Sequence, residues 1–186
     1  MKKLISVLMV LVVVSAVNLT LASFVQAASQ IFVKIEGVRG QSTDAMHSGW
    51  IDATGFADKV FQPGGSTFSS GTRTTEKASF NDILIAKKMD IASPRLFDLC
   101  ASGKHVPRVQ IDFVESTSRG KVVVAMYYLE DVVVSSVEKN FDPKTGEVME
   151  QVTFKFAKIK QVITDVMNPR GGKEEAGWDL VRGTSI

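Results

Sequence analysis

The chain is poor in the residues that do covalent, redox and metal chemistry. Cys100 is its only cysteine, so no intrachain disulfide can form. Two histidines, His47 and His105, are all it offers as neutral bases or imidazole ligands. Neither sign of charge dominates: 22 Lys and Arg stand against 20 Asp and Glu, far from the basic footprint that nucleic acid requires. Motifs are missing as well. Gly64-Gly65-Ser66-Thr67-Phe68 lacks the final glycine of a nucleophile elbow. Gly172-Lys173 would need a glycine at Met167 and a hydroxyl residue at Glu174 to make a phosphate loop. Aromatics interleaved with basic residues along one face, the signature of single-strand binding, are absent. No tandem repeat is present.

The chemistry-bearing residues that remain read as structural. His47, with Asp44 and Asp52 close in sequence, is expected to be a solvated loop group rather than a metal ligand. His105 is expected just past a helix end, where an imidazolium meets orphan carbonyls. Glu147 and Glu150 read as an exposed strand start, and Lys87-Lys88 as a solvated charge pair. Cys100 falls on an apolar helix stripe and reads as a small buried hydrophobe. The expectation is therefore no catalytic residue, no cofactor and no metal.

The first 27 residues read as a secretory leader. Met1, Lys2 and Lys3 form a positive start, residues 4–17 are apolar apart from Ser6 and Ser15, and Val25-Gln26-Ala27 supplies the small residues of a cleavage site. Asn18 and Thr20 interrupt the run before it reaches a spanning length, so no membrane span is expected once the leader is removed. Cleavage after Ala27 removes two lysines and no acid, which balances the remaining charges and favours self-association. The destination is secreted, extracellular or periplasmic. Residues 28–186 then form one domain, with an ordered core over about 31–166 and a tail over 167–186.

Alternation dominates that domain. Ile31, Val33 and Ile35 face one way and Lys34 and Glu36 the other, a half-buried strand. A second extended segment runs from Trp50-Ile51 to Phe61. Residues 63–75 are a Gly/Ser/Thr-rich loop too long for a hairpin turn, with an aromatic, Phe68, in its middle. Residues 78–88 read as strand; Val109, Ile111 and Phe113 alternate in another. The Val- and Tyr-rich run 121–137 suggests burial on both faces. Phe141-Asp142-Pro143-Lys144-Thr145-Gly146 is a turn, and Val152, Phe154 and Phe156 return from it. The phase then slips to Ile159, Gln161 and Ile163, as a bulge near Ala157 and Lys158 would cause. One helix stands out: Ser93 as N-cap, Pro94 at the first helical position, Leu96, Leu99 and Cys100 on one stripe, and Gly103 as the left-handed stop. About seven short strands with one helix point to a mainly β barrel or closed sandwich.

Several blocks, in order, resemble the hemolysin-coregulated protein (Hcp) family. They are Ile31-Phe32-Val33-Lys34-Ile35-Glu36-Gly37-Val38-Arg39-Gly40-Gln41-Ser42; the helix block D-I-A-S-P-R-L-F-D-L-C-A-S-G-K-H-V-P-R-V over 90–109; Leu129-Glu130-Asp131-Val132 to Ser135-Ser136-Val137; Val152-Thr153-Phe154-Lys155-Phe156-Ala157-Lys158-Ile159; and Gly177-Trp178-Asp179-Leu180. The resemblance implies a β-barrel of two antiparallel sheets with one short flanking α-helix. It implies hexameric rings, stacked as the inner tube of a type VI secretion apparatus and carrying effectors in their lumen. It also implies sheath, spike and effector proteins as partners, and no enzymatic activity. The family's extended loop falls on Phe61, Gln62, Pro63, Gly64, Gly65, Ser66 and Phe68, which become candidate subunit or ring contacts. A leader is a departure, because tube assembly in such a family is cytoplasmic. The competing reading is a secreted monomeric β-sandwich that binds carbohydrate through Trp50, Phe68 and Trp178. A secreted hydrolase built on His47 has no nucleophile–base pair to support it.

Overall fold

Six strands of alternating sequence close on themselves. The computed structural model describes residues 29–63, 77–118, 120–166 and 171–186. The leader, the contact candidates Gly64, Gly65, Ser66 and Phe68, and residues 167–170 lie outside the described residues. The strands are β1 (Gln30–Ile35), β2 (Ile51–Ala57), β3 (Val60–Phe61), β4 (Ser79–Phe80), β5 (Ile83–Lys88), β6 (Val106–Thr117), β7 (Gly120–Asp142), β8 (Glu147–Thr164), β9 (Lys173–Asp179) and β10 (Thr184–Ser185), with the helix α1 (Ser93–Ser102) between β5 and β6. The order β8-β5-β2-β1-β6-β7 is closed by pairing of β7 back to β8, all antiparallel. Closure removes most of the edges that an open sheet would expose. β9 and β10 extend outward from β8, while β3 and β4 form a separate two-stranded ribbon. Among the described residues the fold is thus mainly β with one short helix, as the alternation indicates, with ten strands rather than about seven.

The two longest strands each serve two neighbourhoods. Residues 120–132 of β7 pair with β6, and the rest of β7 pairs with β8 alone. Residues 149–154 of β8 pair with β5, and 158–164 pair with β9. The phase slip after Phe156 falls at this change of partner, opposite Asp131, whose φ of 52° is the one positive value at a described non-glycine residue. The register of β8 against β7 is unbroken there. The register shift lies on β7, between Val134 and Ser136, so the bulge expected near Ala157 and Lys158 is not the cause. The run 121–137 is not buried on both faces either: only Leu129, Val132 and Val134 within it are fully enclosed, because the outer face of a barrel wall meets solvent. Residues expected to form a tail supply β9 and β10, and the sheet continues past 166.

The interior is filled by the inward set of each strand, including Val33, Ile35, Ile83, Ile85, Ile111 and Phe154. Each such side chain contributes about 1.5–3 kcal/mol by leaving water. Leu96 and Leu99 of α1 cap the same core, and Cys100 packs against it half-buried rather than enclosed. Gly103 stops the helix at φ 62°, its N–H donating to the Cys100 carbonyl at 3.3 Å. The helix start differs from the expectation. Ala92 is the N-cap, and Ser93 is already helical, with Pro94 one place further in. The Ser93 hydroxyl is held by other partners.

Candidate functional site

Those partners belong to a buried ionic cluster where α1 meets the barrel. Lys87 and Glu150 face each other across the β5–β8 ladder, and both side chains are fully enclosed. Lys87 Nζ lies 2.8 Å from Glu150 Oε2, 2.7 Å from Asp90 Oδ1 and 2.7 Å from the Lys88 carbonyl. Ser93 donates to Glu150 Oε2 at 2.5 Å and accepts from the Asp90 N–H at 3.0 Å. Burial alone would push the Glu150 carboxyl up. The Lys87 ammonium and Ser93 hydroxyl outweigh burial and hold its pKa below the ordinary value. Lys87 and Glu150 therefore correct two expectations: neither is solvated, because each occupies an inward position of a barrel strand. Lys88 and Glu147, the outward neighbours, do form an exposed pair at 2.6 Å.

A second cluster pins the β1–β2 loop to the outside of the wall. Phe32 points outward on β1, yet is buried because the His47 ring stacks on it, 4.2 Å between centroids and 1° between planes. His47 Nδ1 meets Asp44 at 3.1 Å and Nε2 meets Asp112 at 3.1 Å. Only an imidazolium donates to both. Lys121 also pairs with Asp44, and this contact, then His47, holds the Asp44 carboxyl well below the usual carboxylate range. Gly40 lets the loop approach: a Cβ there would lie 2.0 Å from the Trp50 carbonyl oxygen. His47 is thus a buried clamp, not a solvated loop group, and Asp52 takes no part in it. Among the described residues no group of three His, Cys, Asp or Glu side chains could hold a metal ion. His105 turns to Asp131 at 2.5 Å rather than to the helix carbonyls. Both clusters are held by partners within the chain; among the described residues Glu150 Oε1 accepts no hydrogen bond and meets only the Lys139 ammonium, at 3.4 Å.

What stays open lies at the two ends of the barrel strands. The first is where the β7–β8 hairpin, α1 and the segment after β5 converge. Met89, Ile91, Phe97 and Phe141 are all exposed there. They are neighbours: the Met89 N–H donates to the Val148 carbonyl at 2.9 Å, Val148 faces Phe141 across the hairpin, and Lys139 lies 5.9 Å above the Phe97 ring. The second is a mostly apolar groove of about 220 Å³ between the β3–β4 ribbon, β8 and β9, lined by Val60, Phe80, Ile83, Phe156, Ile159 and Trp178. Of the candidate contact residues, Phe61, Gln62 and Pro63 are among the described ones: Phe61 ends β3 next to Val60 of this groove, exposed under the Lys59 ammonium. Of the aromatics of the carbohydrate reading, Phe68 lies outside the described residues, and Trp50 and Trp178 do not meet. Trp50 packs edge-on to His47, and Trp178 lines the groove.

A third surface is smooth. On the outer face of β2, β5, β8 and distal β7, two rows run Gly55, Ala86, Gln151, Glu138 and Ala57, Leu84, Thr153, Ser136. Thr153 bonds Ser135 and Ser136 across it, at 2.9 and 2.6 Å. Small and uncharged polar groups dominate these rows.

Comparison with known proteins gives one consistent result. Residues 32–162 match the model of the family described as type VI secretion system effector, Hcp. The chain is 29% identical over 157 residues to Protein hcp1 of Pseudomonas aeruginosa, which covers 82% of this chain and 96% of that protein. Among solved structures it is similar to Hcp1 of Salmonella typhimurium, with a TM-score of 0.70 and 28% identity over 86% of this chain and 99% of that one. It is similar also to a type VI secretion system effector of Yersinia pestis, with a TM-score of 0.66 and 27% identity over 80% and 98%.

Proposed function

The chain belongs to the Hcp family of type VI secretion system proteins, and from that premise we propose that it is a ring- and tube-forming structural subunit that carries effectors in its lumen and is itself secreted. The family is a structural one of the secretion system rather than an enzyme family. One observation carries the reading most directly: among the described residues the two buried polar clusters are held by partners within the chain, while apolar surface is left exposed at both ends of the barrel strands. A protein so arranged acts by contact. A heterologous contact that closes makes a ring, and rings so made can stack.

In this proposal six copies form the ring. Phe61, Gln62 and Pro63, with Gly64, Gly65, Ser66 and Phe68, carry a contact between subunits or rings, supported by the β3–β4 ribbon from which the loop springs. The smooth outer face of β2, β5 and β8 lines the channel, since short polar side chains neither obstruct cargo nor hold it by charge. Sheath, spike and effector proteins are the further partners. The leader directs export and is cleaved after Ala27, just before β1 begins at Gln30. Negative-stain imaging of the purified mature protein tests the reading: annular particles with a central channel are expected, and a monomer that never forms them contradicts it. N-terminal sequencing of the exported protein should begin at Ala28; a start at Met1 would remove the leader from the account.

A further inference from the structure

We propose that the exposed apolar patch beside the hairpin of one copy seats in the groove at the other end of the barrel strands of the next copy, with Phe141 as the inserted side chain. The proposal rests on the assembly reading above and names the partner surfaces for it. Four observations carry it.

First, the patch is too apolar for open water. Phe141 is 65% exposed and Phe97 61%, and Met89 and Ile91 on the segment joining β5 to α1 are exposed as well. The rim is ionic, from Lys88–Glu147 and Arg95–Asp98. Contiguous apolar surface with a polar rim is the pattern of a protein contact. Second, the groove is lined mainly by apolar side chains and, at about 220 Å³, falls below the size that small-molecule sites need. A protruding side chain fits such a space better than a free ligand does. Third, the two surfaces sit at opposite ends of one element. Ile83, the first residue of β5, lines the groove, and Met89 follows its last, Lys88. A strand of this length separates them by roughly 17–20 Å, so no copy can fill its own groove. Contact between unlike surfaces at opposite ends propagates from copy to copy. Fourth, the charges match. Among the described residues Lys144, on the same hairpin as Phe141, has no ion-pair partner, and Asp58, at the rim of the groove, has none either, accepting from the Gln161 amide at 3.5 Å. Seating Phe141 brings an unpaired cation toward an unpaired carboxylate.

The test is directed cross-linking of the full chain in a Cys100→Ser background. Phe141→Cys and Val60→Cys are introduced singly and together, and a short bismaleimide is added. The double variant should give a ladder of dimers, trimers and higher species in a denaturing gel. Each single variant should give none. Phe141→Glu should lower the cross-linked yield of a Val60→Cys, Lys144→Cys pair at least tenfold, with an unchanged urea midpoint. Electron microscopy of the same samples separates the two levels of the account. Rings or stacks without a ladder overturn the Phe141–groove contact and leave the family reading standing; absence of any particle overturns both. Efficient dimers from Phe141→Cys alone would mean that the patch meets itself, and would also overturn the proposal. A cross-link to a co-purifying protein in place of the ladder would do the same.

Discussion

Phe154 and Phe141 sit on the paired strands β8 and β7 and have opposite fates. Phe154 is fully enclosed among Val, Ile and Leu side chains, and Phe141 stands in solvent at the hairpin. The same contrast holds for charge. Lys87 is sealed against Glu150 and Asp90 inside the wall, while Lys144 on the hairpin has no ion-pair partner among the described residues. Inside the barrel, nearly every group has found a partner within the chain. At the ends of the strands, apolar and charged groups remain available to another molecule. The difference separates stability from function: interior changes should unfold the protein without a specific effect on assembly, and end changes should do the reverse.

The largest effect should come from the interior. Lys87→Met leaves the buried Glu150 carboxylate with only the Ser93 hydroxyl and the half-exposed Lys139 ammonium at 3.4 Å, and should cost about 3–5 kcal/mol in urea-induced unfolding. Lys87→Met with Glu150→Leu should recover much of that loss, since a well-packed apolar pair replaces a buried ion pair at little cost. If the single variant unfolds at the wild-type midpoint, the buried cluster is not what ties α1 to the barrel. His47→Ala should rank next. It leaves Asp112 with the Gln110 amide alone, at 2.9 Å, and uncovers Phe32, at about 1–3 kcal/mol, and amide exchange should rise in the 40–50 loop before the rest of the chain.

Acid should separate the regions as well. The folded pKa values of Asp44 and Glu150 lie below their ordinary 3.8 and 4.5, so the unfolded chain binds more protons in the acid range. Their contribution is whole at neutral pH and is lost as pH falls from about 4.5 toward the folded values. Glu150→Gln should therefore unfold with a shallower pH dependence below that point. An unchanged slope would show that Glu150 is not held ionised by Lys87. The smallest effect on stability should be at the hairpin. Phe141→Ser should change the unfolding free energy by no more than about 0.5 kcal/mol, and a larger loss would show that Phe141 supports the fold.

The sequence made the local elements legible and left the long-range ones hidden. Alternation at Ile31, Val33 and Ile35, the turn at Pro143–Gly146, and the Gly103 stop each depend on a few adjacent residues, and each lies where expected. The β7–β8 hairpin alone implied a pair of long strands. By contrast, Lys87 finds Glu150 across 63 residues and His47 finds Asp112 across 65, so no window of sequence could join them. One signal was available for Lys87: it continues the inward alternation of Ile83 and Ile85. β9 was missed because Lys-Glu-Glu-Ala-Gly has no apolar period. It is a sheet extension whose first residues face water on both sides. The candidate contact segment was marked by its length and by family resemblance, whereas the groove comes from β3, β4, β5, β8 and β9 together and has no local signature.

The central claim is that this molecule works by binding copies of itself. Sedimentation of the purified mature chain at micromolar concentration, with imaging of the same sample, tests it most directly. The account predicts ring-sized particles that Phe141→Glu converts to smaller species while the urea midpoint stays put. A wild-type chain that remains monomeric at every concentration would contradict it.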